Sequence, residues 1–465
     1  MKKAKYQVLA QRFIESIEAG KLKDGEKMLS LRKFAKQHGI SVSTAVCCYQ
    51  ELESLGWLVS RPQSGFFIVD RSTMVPTPTW HTFASQIAPP AQLPLRPDIP
   101  CGPLGTASLA LSDTTQRQLT SSFRRVLPKT ATLARYPELQ GERTLLDALA
   151  MHFSSIGFPL QANELVVTNG CLEAVRTALE VCTIPGDVVA VSSPCFNGLL
   201  ELLSQMSLKI LEIPSVTDGI DLDQLEQYMS RGQIQAGLFC TTHMNPQGLT
   251  MSVEQKQRLA MLANKYCIPV IEDDVYFELS HSESQPLPAT YYDQAGYLLW
   301  CGSISKSISP SYRVGWCRPG RFFQAFLRRA LGVSVLEQQM LADFIDKGHY
   351  AKHLKQTRHQ LKLQKAQYVN YLANALPKGT KVSDPDGGLV LWLVIPDFSA
   401  AEFSIMAEKA QLDVRVGSWF SSSTRYDDCL RINIGNPITQ EIQSALDLLT
   451  QLVQKVVEST LRKEG

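Results

Sequence analysis

The chain has no apolar run near the roughly 20 residues that span a bilayer. It has no Cys-x-x-Cys pair among its eleven cysteines, and charged side chains fill only 19% of its 465 positions. The first absence predicts a protein that does not cross a membrane. The second, with an odd number of cysteines scattered through apolar stretches, argues against a secreted disulfide framework and for a reducing compartment. The start, Met1-Lys2-Lys3-Ala4-Lys5, is basic, but Gln11, Arg12, Glu15 and Glu18 interrupt the apolar residues after it. No signal-peptide core is expected there, and the cytoplasm is the expected place. A low charged fraction beside 44% hydrophobic residues excludes global disorder. There are no internal repeats, and no metal site is predicted.

At this length two or three domains are expected. The net charge of +2 hides an asymmetry, because residues 1–72 hold twelve Lys/Arg against seven Asp/Glu. That segment carries +5, which leaves −3 for the rest. A small basic piece on a mildly acidic body points to a polyanionic partner for the piece alone.

Within it, Tyr6, Leu9, Phe13 and Ile17 recur at helical spacing. Gly20 and Asp24-Gly25 end that helix. Ser30 can cap a second one bearing Leu31, Phe34 and Ala35, and Gly39-Ile40-Ser41 breaks it. Ser43 or Thr44 opens a third, with Val46, Tyr49, Leu52 and Leu55 as its buried stripe and Gly56 as its stop. Two β runs come next, Trp57–Arg61 and Phe66–Val69, joined through Pro62-Gln63-Ser64-Gly65. Three helices and a hairpin suggest a winged helix-turn-helix; a small helical interaction domain is the plainer alternative. The stretches Lys21–Arg32, Phe34-Ala35, Gly39–Thr44, Tyr49–Gly56 and Arg61–Gly65 resemble the GntR-type winged helix, except that Met28-Leu29-Ser30 replaces the usual Leu-Pro-Ser. The resemblance implies double-stranded DNA as partner. It puts Ser30, Ser41, Ser43 and Thr44 at the helix ends facing DNA, Arg32 and Arg61 on it, and Gly65 at the wing tip. Short hydroxyls at a helix start and arginine forks suit phosphates and base edges.

Residues 73–100 are dense in proline, as in Val75–Trp80 and Ala88–Pro100, and read as a semi-rigid spacer. From 101 onward β-rich runs (Glu164–Thr168, Val188–Ser192, Leu238–Thr241, Pro269–Glu272, Leu298–Cys301) alternate with helical ones (Leu172–Val181, Val253–Ala263). Alternation of this kind predicts a largely parallel sheet with helices on both faces and ligands beyond the carboxyl ends of the strands. From about 336 a smaller α+β piece is expected, with a helix over Gln360–Leu376 and strands at Gly388–Ile395 and Leu430–Asn433.

The marked residues fall after the strands: Gly170-Cys171, then Phe196, then Asn245-Pro246-Gln247-Gly248, then Glu272-Asp273-Asp274 with Tyr276, then Ser303-Ile304-Ser305-Lys306 with Arg313. Each alone reads as an ordinary turn, a core aromatic or a solvated acidic end. A lysine just past a buried strand, ringed by hydroxyls and an arginine, can also capture an aldehyde as a Schiff base while its neighbours hold a phosphate. In this order the set resembles the fold-type I aminotransferases, which bind pyridoxal 5′-phosphate (PLP). The resemblance implies Lys306 as Schiff-base residue, Asp273 as partner of the ring nitrogen, Asn245 and Tyr276 on the ring hydroxyl, and Phe196 stacked on the ring. Gly170, Cys171, Ser303, Ser305 and Arg313 would hold the phosphate, and Tyr136 would reach the phosphate of a neighbouring subunit. Arg431 would clamp a carboxylate. Two departures, Pro310-Ser311 before Arg313 and Leu145-Leu146-Asp147 where Leu-Arg is common, leave efficient turnover in question.

The expected fold class is thus α/β: a winged helix-turn-helix (1–72), a linker (73–100) and an aminotransferase-like body (large domain about 101–335, small domain about 336–465). This layout is similar to the MocR subfamily of GntR-type regulators. It implies a head-to-tail homodimer that senses PLP, or an amine or amino-acid effector, and signals to DNA. An aminotransferase with an accessory DNA-binding module is the rival reading.

Overall fold

The computed structural model describes residues 5–18, 21–22, 25–54, 57–61, 64–68, 76–90, 101–128, 135–281, 285–423 and 425–464. Helices α1 (Lys5–Glu18), α2 (Leu31–His38) and α3 (Val42–Ser54) and the hairpin β1 (Leu58–Arg61)–β2 (Gly65–Ile68) form the N-terminal head. On α1 the fully buried positions are Ala10, Ile14 and Ile17. The expected Tyr6, Leu9 and Phe13 flank that core instead of filling it. On α3 the buried positions are Ala45, Cys48, Tyr49 and Leu52, with Val46 only half-buried. Ser30 caps α2, accepting from Lys33 N–H at 3.4 Å, and Gly39 closes it in the left-handed region at φ 61°. The start of α3 differs from expectation. Its capping hydroxyl is Ser41, which accepts from Thr44 N–H at 3.1 Å, so the helix opens at Val42 and not at Ser43 or Thr44. Gly20, Asp24, Leu55, Gly56, Pro62 and Gln63 lie outside the described residues.

Part of the expected spacer is docked on the body. Pro76 C=O accepts from Val382 N–H at 3.0 Å, and Trp80 packs beside Trp392 and Phe420. The guanidinium of Arg425 lies 4.0 Å from the Phe83 ring centroid. Gln224 Oε1 accepts from Ser85 N–H at 2.8 Å. Strand β3 (Ile87–Ala88) then joins the main sheet. This proline-rich chain is held by its host through both backbone, at Pro76 and β3, and side chains, at Trp80, Phe83 and Ser85.

That sheet comprises β3, β4 (Val166–Thr168), β5 (Val188–Ser193), β6 (Lys209–Val216), β7 (Gly219–Ile220), β8 (Ala236–Phe239), β9 (Val270–Asp273), β10 (Leu298–Ser303) and β11 (Gly315–Arg318). Its order is β3-β6-β5-β8-β9-β10-β11-β4, with β7 paired to β6. The run β6-β5-β8-β9-β10 is parallel, and β3 and β11 pair antiparallel. Period-2 alternation explains the two-sided burial. Val189, Val191, Ile271 and Leu299 meet the helices Cys171–Cys182 and Asn197–Gln205. Their neighbours Val188, Ala190, Val270 and Leu298 meet Leu222–Ser230 and Val253–Tyr266.

The second sheet, β12 (Lys381–Val382), β13 (Val390–Val394), β14 (Arg415–Val416) and β15 (Cys429–Asn433), is antiparallel in the order β12-β13-β15-β14. The helix Val335–Asp346 and the first half of the helix His349–Ala375 pack into the large core through Met340, Tyr350 and Leu361. Tyr368 and Leu372 pack into the small one. The change of core therefore falls inside that long helix, later in the chain than the expected position near 336. Residues 101–110 cross between the cores, with Leu104 buried in the small and Ala107 in the large.

Candidate functional site

The carboxyl ends of β4, β5, β8, β9 and β10 converge on one cleft, the position that open parallel sheets leave for a ligand. Cys171, Phe196, Asn245, Asp273, Tyr276, Ser305, Lys306 and Arg313 all line it. These residues span more than 140 positions of sequence and come together because each sits just beyond a strand.

Lys306 lies three residues past the end of β10 and aims Nζ at the carbonyl of Ala107, 2.8 Å away. Burial, followed by the positive charge of Arg431, lowers its ammonium pKa to about 8. Asp273 ends β9, is buried, and has its carboxyl held above the usual range by desolvation. Its contact inside the cleft is the Cys171 thiol, which donates to Oδ1 at 3.1 Å. Alternation turns the neighbouring acids the other way. Glu272 accepts from Ala289 N–H at 2.7 Å and Thr290 N–H at 3.0 Å, and Asp274 accepts from Trp300 Nε1 at 2.9 Å. Lys256, 1% exposed, faces both of these acids from the helix above and supplies the cation that two buried carboxylates require. The acidic run is therefore not a solvated strand end: Glu272 and Asp274 share the charge of Lys256, and Asp273 is left to the cleft.

Asn245 Nδ2 donates to Tyr276 Oη at 3.3 Å, and burial raises the phenol pKa. Phe196 is the residue before the helix Asn197–Gln205 and stands half-buried in the cleft wall. Gly170 (φ 88°) precedes the helix Cys171–Cys182, and a Cβ built on it would meet Arg313 Nη2 at 2.7 Å. The φ favours glycine, and the guanidinium lies where a side chain here would reach, so a helix N-terminus and a cation stand together, an arrangement suited to an anion. Ser303 Oγ bonds Ser305 Oγ at 2.7 Å and donates to Val314 C=O at 2.9 Å, which ties the Lys306 turn to the strand that comes after Arg313. Arg313 itself donates to Asn169 C=O at 2.9 Å from a left-handed backbone (φ 49°).

Arg431, on β15, is 3% exposed. Its Nη2 donates to Gly105 C=O, its Nη1 donates to Asn245 Oδ1 at 3.4 Å, and its Nε has no partner. Burial lowers its pKa to about 10. Tyr136 is not brought to the cleft. It stands 94% exposed, near the exposed Leu139.

The donor set fits PLP. A buried carboxyl at the cleft end of β9, with a thiol and Lys306 favouring its charged form against desolvation, suits a pyridine N–H⁺; an amine of lowered pKa suits an aldehyde, and a glycine at a helix start beside a guanidinium suits a phosphate. Among the described residues no group of three metal-ligating side chains could hold a metal ion, and no helix is long and apolar enough to cross a membrane. Sequence reasoning missed Cys195 and Cys240 in the cleft wall, the thiol on Asp273, and the whole of residues 102–107. The only sequence signal for the last was the pair Gly102 and Gly105.

In the head, Ser41 Oγ bonds both Ser43 Oγ and Thr44 Oγ1 at 2.8 Å, so three of the four hydroxyls expected at DNA form one cluster at the start of α3, and Ser30 caps α2. Ser41, Ser43, Arg32, Lys33 and Lys36 are exposed. Gly65 takes φ 97° where the hairpin turns. The backbone of Arg61 pairs with Gly65, and its side chain lies outside the described residues.

Comparison with known proteins agrees with both halves. The family "Aminotransferase class I and II" matches residues 109–449, and "Bacterial regulatory proteins, gntR family" matches residues 5–68. The uncharacterized HTH-type transcriptional regulator YjiR of Escherichia coli K12 is 30% identical over 98% of this chain and 100% of its own length. A second, YdcR of the same organism, is 30% identical over 97% and 99%. Among solved structures, the multiple substrate aminotransferase of Thermococcus profundus superposes with TM-score 0.69 at 20% identity, covering 77% of this chain and 92% of that one. At that identity it shows the fold alone.

Proposed function

This chain belongs to the family of HTH-type transcriptional regulators that join a GntR head to an aminotransferase class I and II body, and from that premise we propose how it works. It is a DNA-binding regulator whose body belongs to a PLP-dependent fold. In our reading the body is a receptor for PLP, or for an amine or amino acid that meets PLP there. The observation that carries this is Lys306, an amine of lowered pKa facing a cleft it shares with buried Asp273.

When bound, PLP would supply an electrophilic carbon and an electron-withdrawing ring. This chain's residues would do the rest. Lys306 would present a neutral nitrogen to the aldehyde. Asp273 would hold a proton on the ring nitrogen, while Cys171 restrains that carboxylate. Asn245 and Tyr276 would donate to the ring hydroxyl, and Phe196 would cover one ring face. Gly170, Cys171, Ser303, Ser305 and Arg313 would bind the phosphate. Arg431 would take the carboxylate of an effector with two prongs.

In the head, Ser30, Ser41, Ser43, Thr44, Arg32, Arg61 and Gly65 would face double-stranded DNA, with most affinity coming from phosphate contacts. The exposure of Tyr136 supports a head-to-tail homodimer in which a second copy brings it to the phosphate site. Two heads would then meet two half-sites. DNA as target places this work in the cytoplasm.

The test joins two measurements on the full chain. PLP should generate a visible absorbance band that Lys306→Ala abolishes, and DNA upstream of the gene should be retarded in a salt-dependent way. A band that survives Lys306→Ala refutes the assignment of the lysine. The rival reading, a working aminotransferase, rests on Lys306 and Arg431 sharing one cleft. Fast steady-state turnover of an amino-acid and keto-acid pair, without specific DNA binding, would decide for it.

A further inference from the structure

Residues 102–110 are held by the groups a ligand would use. Arg431 Nη2 donates to the carbonyl of Gly105, and Lys306 Nζ donates to the carbonyl of Ala107 at 2.8 Å. The remaining holds come from the small domain. Asp413 Oδ2 accepts from Gly102 N–H at 2.7 Å, Asn433 N–H donates to Leu104 C=O at 2.7 Å, and Gly435 C=O accepts from Ala110 N–H at 3.1 Å. The seat is tight, since a Cβ on Gly105 would lie 2.2 Å from the Asp413 carboxylate.

A neutral backbone carbonyl is a poor match for Arg431. The guanidinium is 3% exposed, its Nε is unpartnered, and its second prong reaches Asn245 only at 3.4 Å. A buried donor left unpaired is costly, and a carboxylate binds a guanidinium fork about twice as strongly as a neutral acceptor. An incoming carboxylate therefore gains what Gly105 cannot supply, but it must take the place of that carbonyl. Lys306 is the other hold, and it is weakened when its neutral amine condenses with an aldehyde, since the two N–H hydrogens leave with the aldehyde oxygen as water. In sequence these residues come after the docked stretch 76–90 and, before it, the head.

We propose that residues 102–107 are a tethered occupant of the effector pocket, and that an amine bearing a carboxylate switches the protein by displacing the Gly105 carbonyl from Arg431. The inference rests on the proposed roles of Lys306 and Arg431. It adds the class of ligand that can switch the protein and the segment that moves. An amine without a carboxylate takes the PLP carbon from Lys306, whose nitrogen leaves as the free amine, yet it leaves Gly105 seated on Arg431.

The test is amide hydrogen exchange on the full chain with PLP alone, with PLP and each of the twenty amino acids, and with PLP and the matching decarboxylated amines. An amino acid that alters the visible band should speed exchange at Gly102, Ala110 and Asn433 by roughly tenfold or more, the weight of one charge-assisted hydrogen bond. Its decarboxylated counterpart should not. Gly105→Ala should exchange fast at Ala110 without any ligand and gain little on adding one. Asp413→Asn serves the same purpose should Gly105→Ala fail to fold. A visible band that amino acid and amine alter alike, with exchange unchanged or equally changed, overturns the inference and leaves the reading of Lys306 intact. So does slow exchange in both variants, or the failure of all twenty amino acids to alter the band. Absence of any band with PLP overturns the reading of Lys306 itself, and the inference with it.

Discussion

The thiol of Cys171 donates to Oδ1 of Asp273 at 3.1 Å, across 102 residues of sequence. The contact lowers the pKa of a carboxyl that burial raises. Removing it, as in Cys171→Ala, should push Asp273 further toward its neutral form, which is the wrong form to hold a ring N–H⁺. A hydrogen bond of about 0.5–1.5 kcal/mol translates into roughly two- to tenfold weaker binding of PLP. Titrating the visible band against PLP concentration measures it, and an unchanged midpoint would show that the thiol does not act on Asp273.

The ammonium of Lys306, lowered from 10.5 to about 8, has a consequence in pH. Only the neutral amine attacks an aldehyde. The initial rate of band formation should therefore climb with pH, reach half its plateau near pH 8, and level off above. A lysine with its ordinary pKa would still be climbing at pH 10. Stopped-flow absorbance between pH 6.5 and 10 separates the two.

Arg32 lies exposed on α2, the helix before the one that the cluster of hydroxyls opens. Arg32→Ala should weaken DNA binding on specific and unrelated sequences if it meets phosphate. The slope of log affinity against log salt should then fall by about one. If it meets a guanine edge, the loss should be about 1–3 kcal/mol and confined to the specific site. In both cases the PLP spectrum should not move; a shifted spectrum would contradict independence of head and body.

Glu212, in β6, is a buried carboxylate that accepts from Ser193 Oγ at 2.6 Å, Ser422 N–H at 2.6 Å and Ser421 Oγ at 2.9 Å. It clasps residues 421–422, which adjoin the small sheet, onto the large one. Arg425, close by, stacks on Phe83. Glu212→Ala strands several buried donors and should cost about 1–3 kcal/mol for each one left unsatisfied. Thermal unfolding should show the loss, and limited proteolysis should cut near residue 83 sooner than in the parent chain.

Much of the cleft is legible before folding, for a local reason. Each marked residue stands at the end of an apolar run, and a turn that leaves a buried strand must place its side chains at the strand's carboxyl end. Caps are local too, so Ser30 and Gly39 are readable from their neighbours alone. The cap of α3 is harder to read because Ser41, Ser43 and Thr44 all offer a hydroxyl, and only the backbone path selects among them. On α1, spacing points to Leu9 and Phe13 as core because it finds a stripe but not which edge of it faces inward. Strands β6 and β11 escape the pattern: β6 carries Glu212 at its centre, and β11 opens on Gly315 and ends on Arg318, which leaves no apolar run.

The amino-acid order by itself determined the small basic head, the alternating body, the sequence of turn motifs and the place of the candidate lysine just past a buried strand, since all of these depend on residues within a few positions of each other. Tertiary structure alone decided that Asp273 faces the cleft while Glu272 and Asp274 face Lys256. It also decided that the proline-rich residues 76–90 lie on the body, and that Ala107 and Gly105 meet Lys306 and Arg431 across 199 and 326 residues. Contacts at such separations are made by how sheets and helices stack, and no local pattern of residues encodes the stacking.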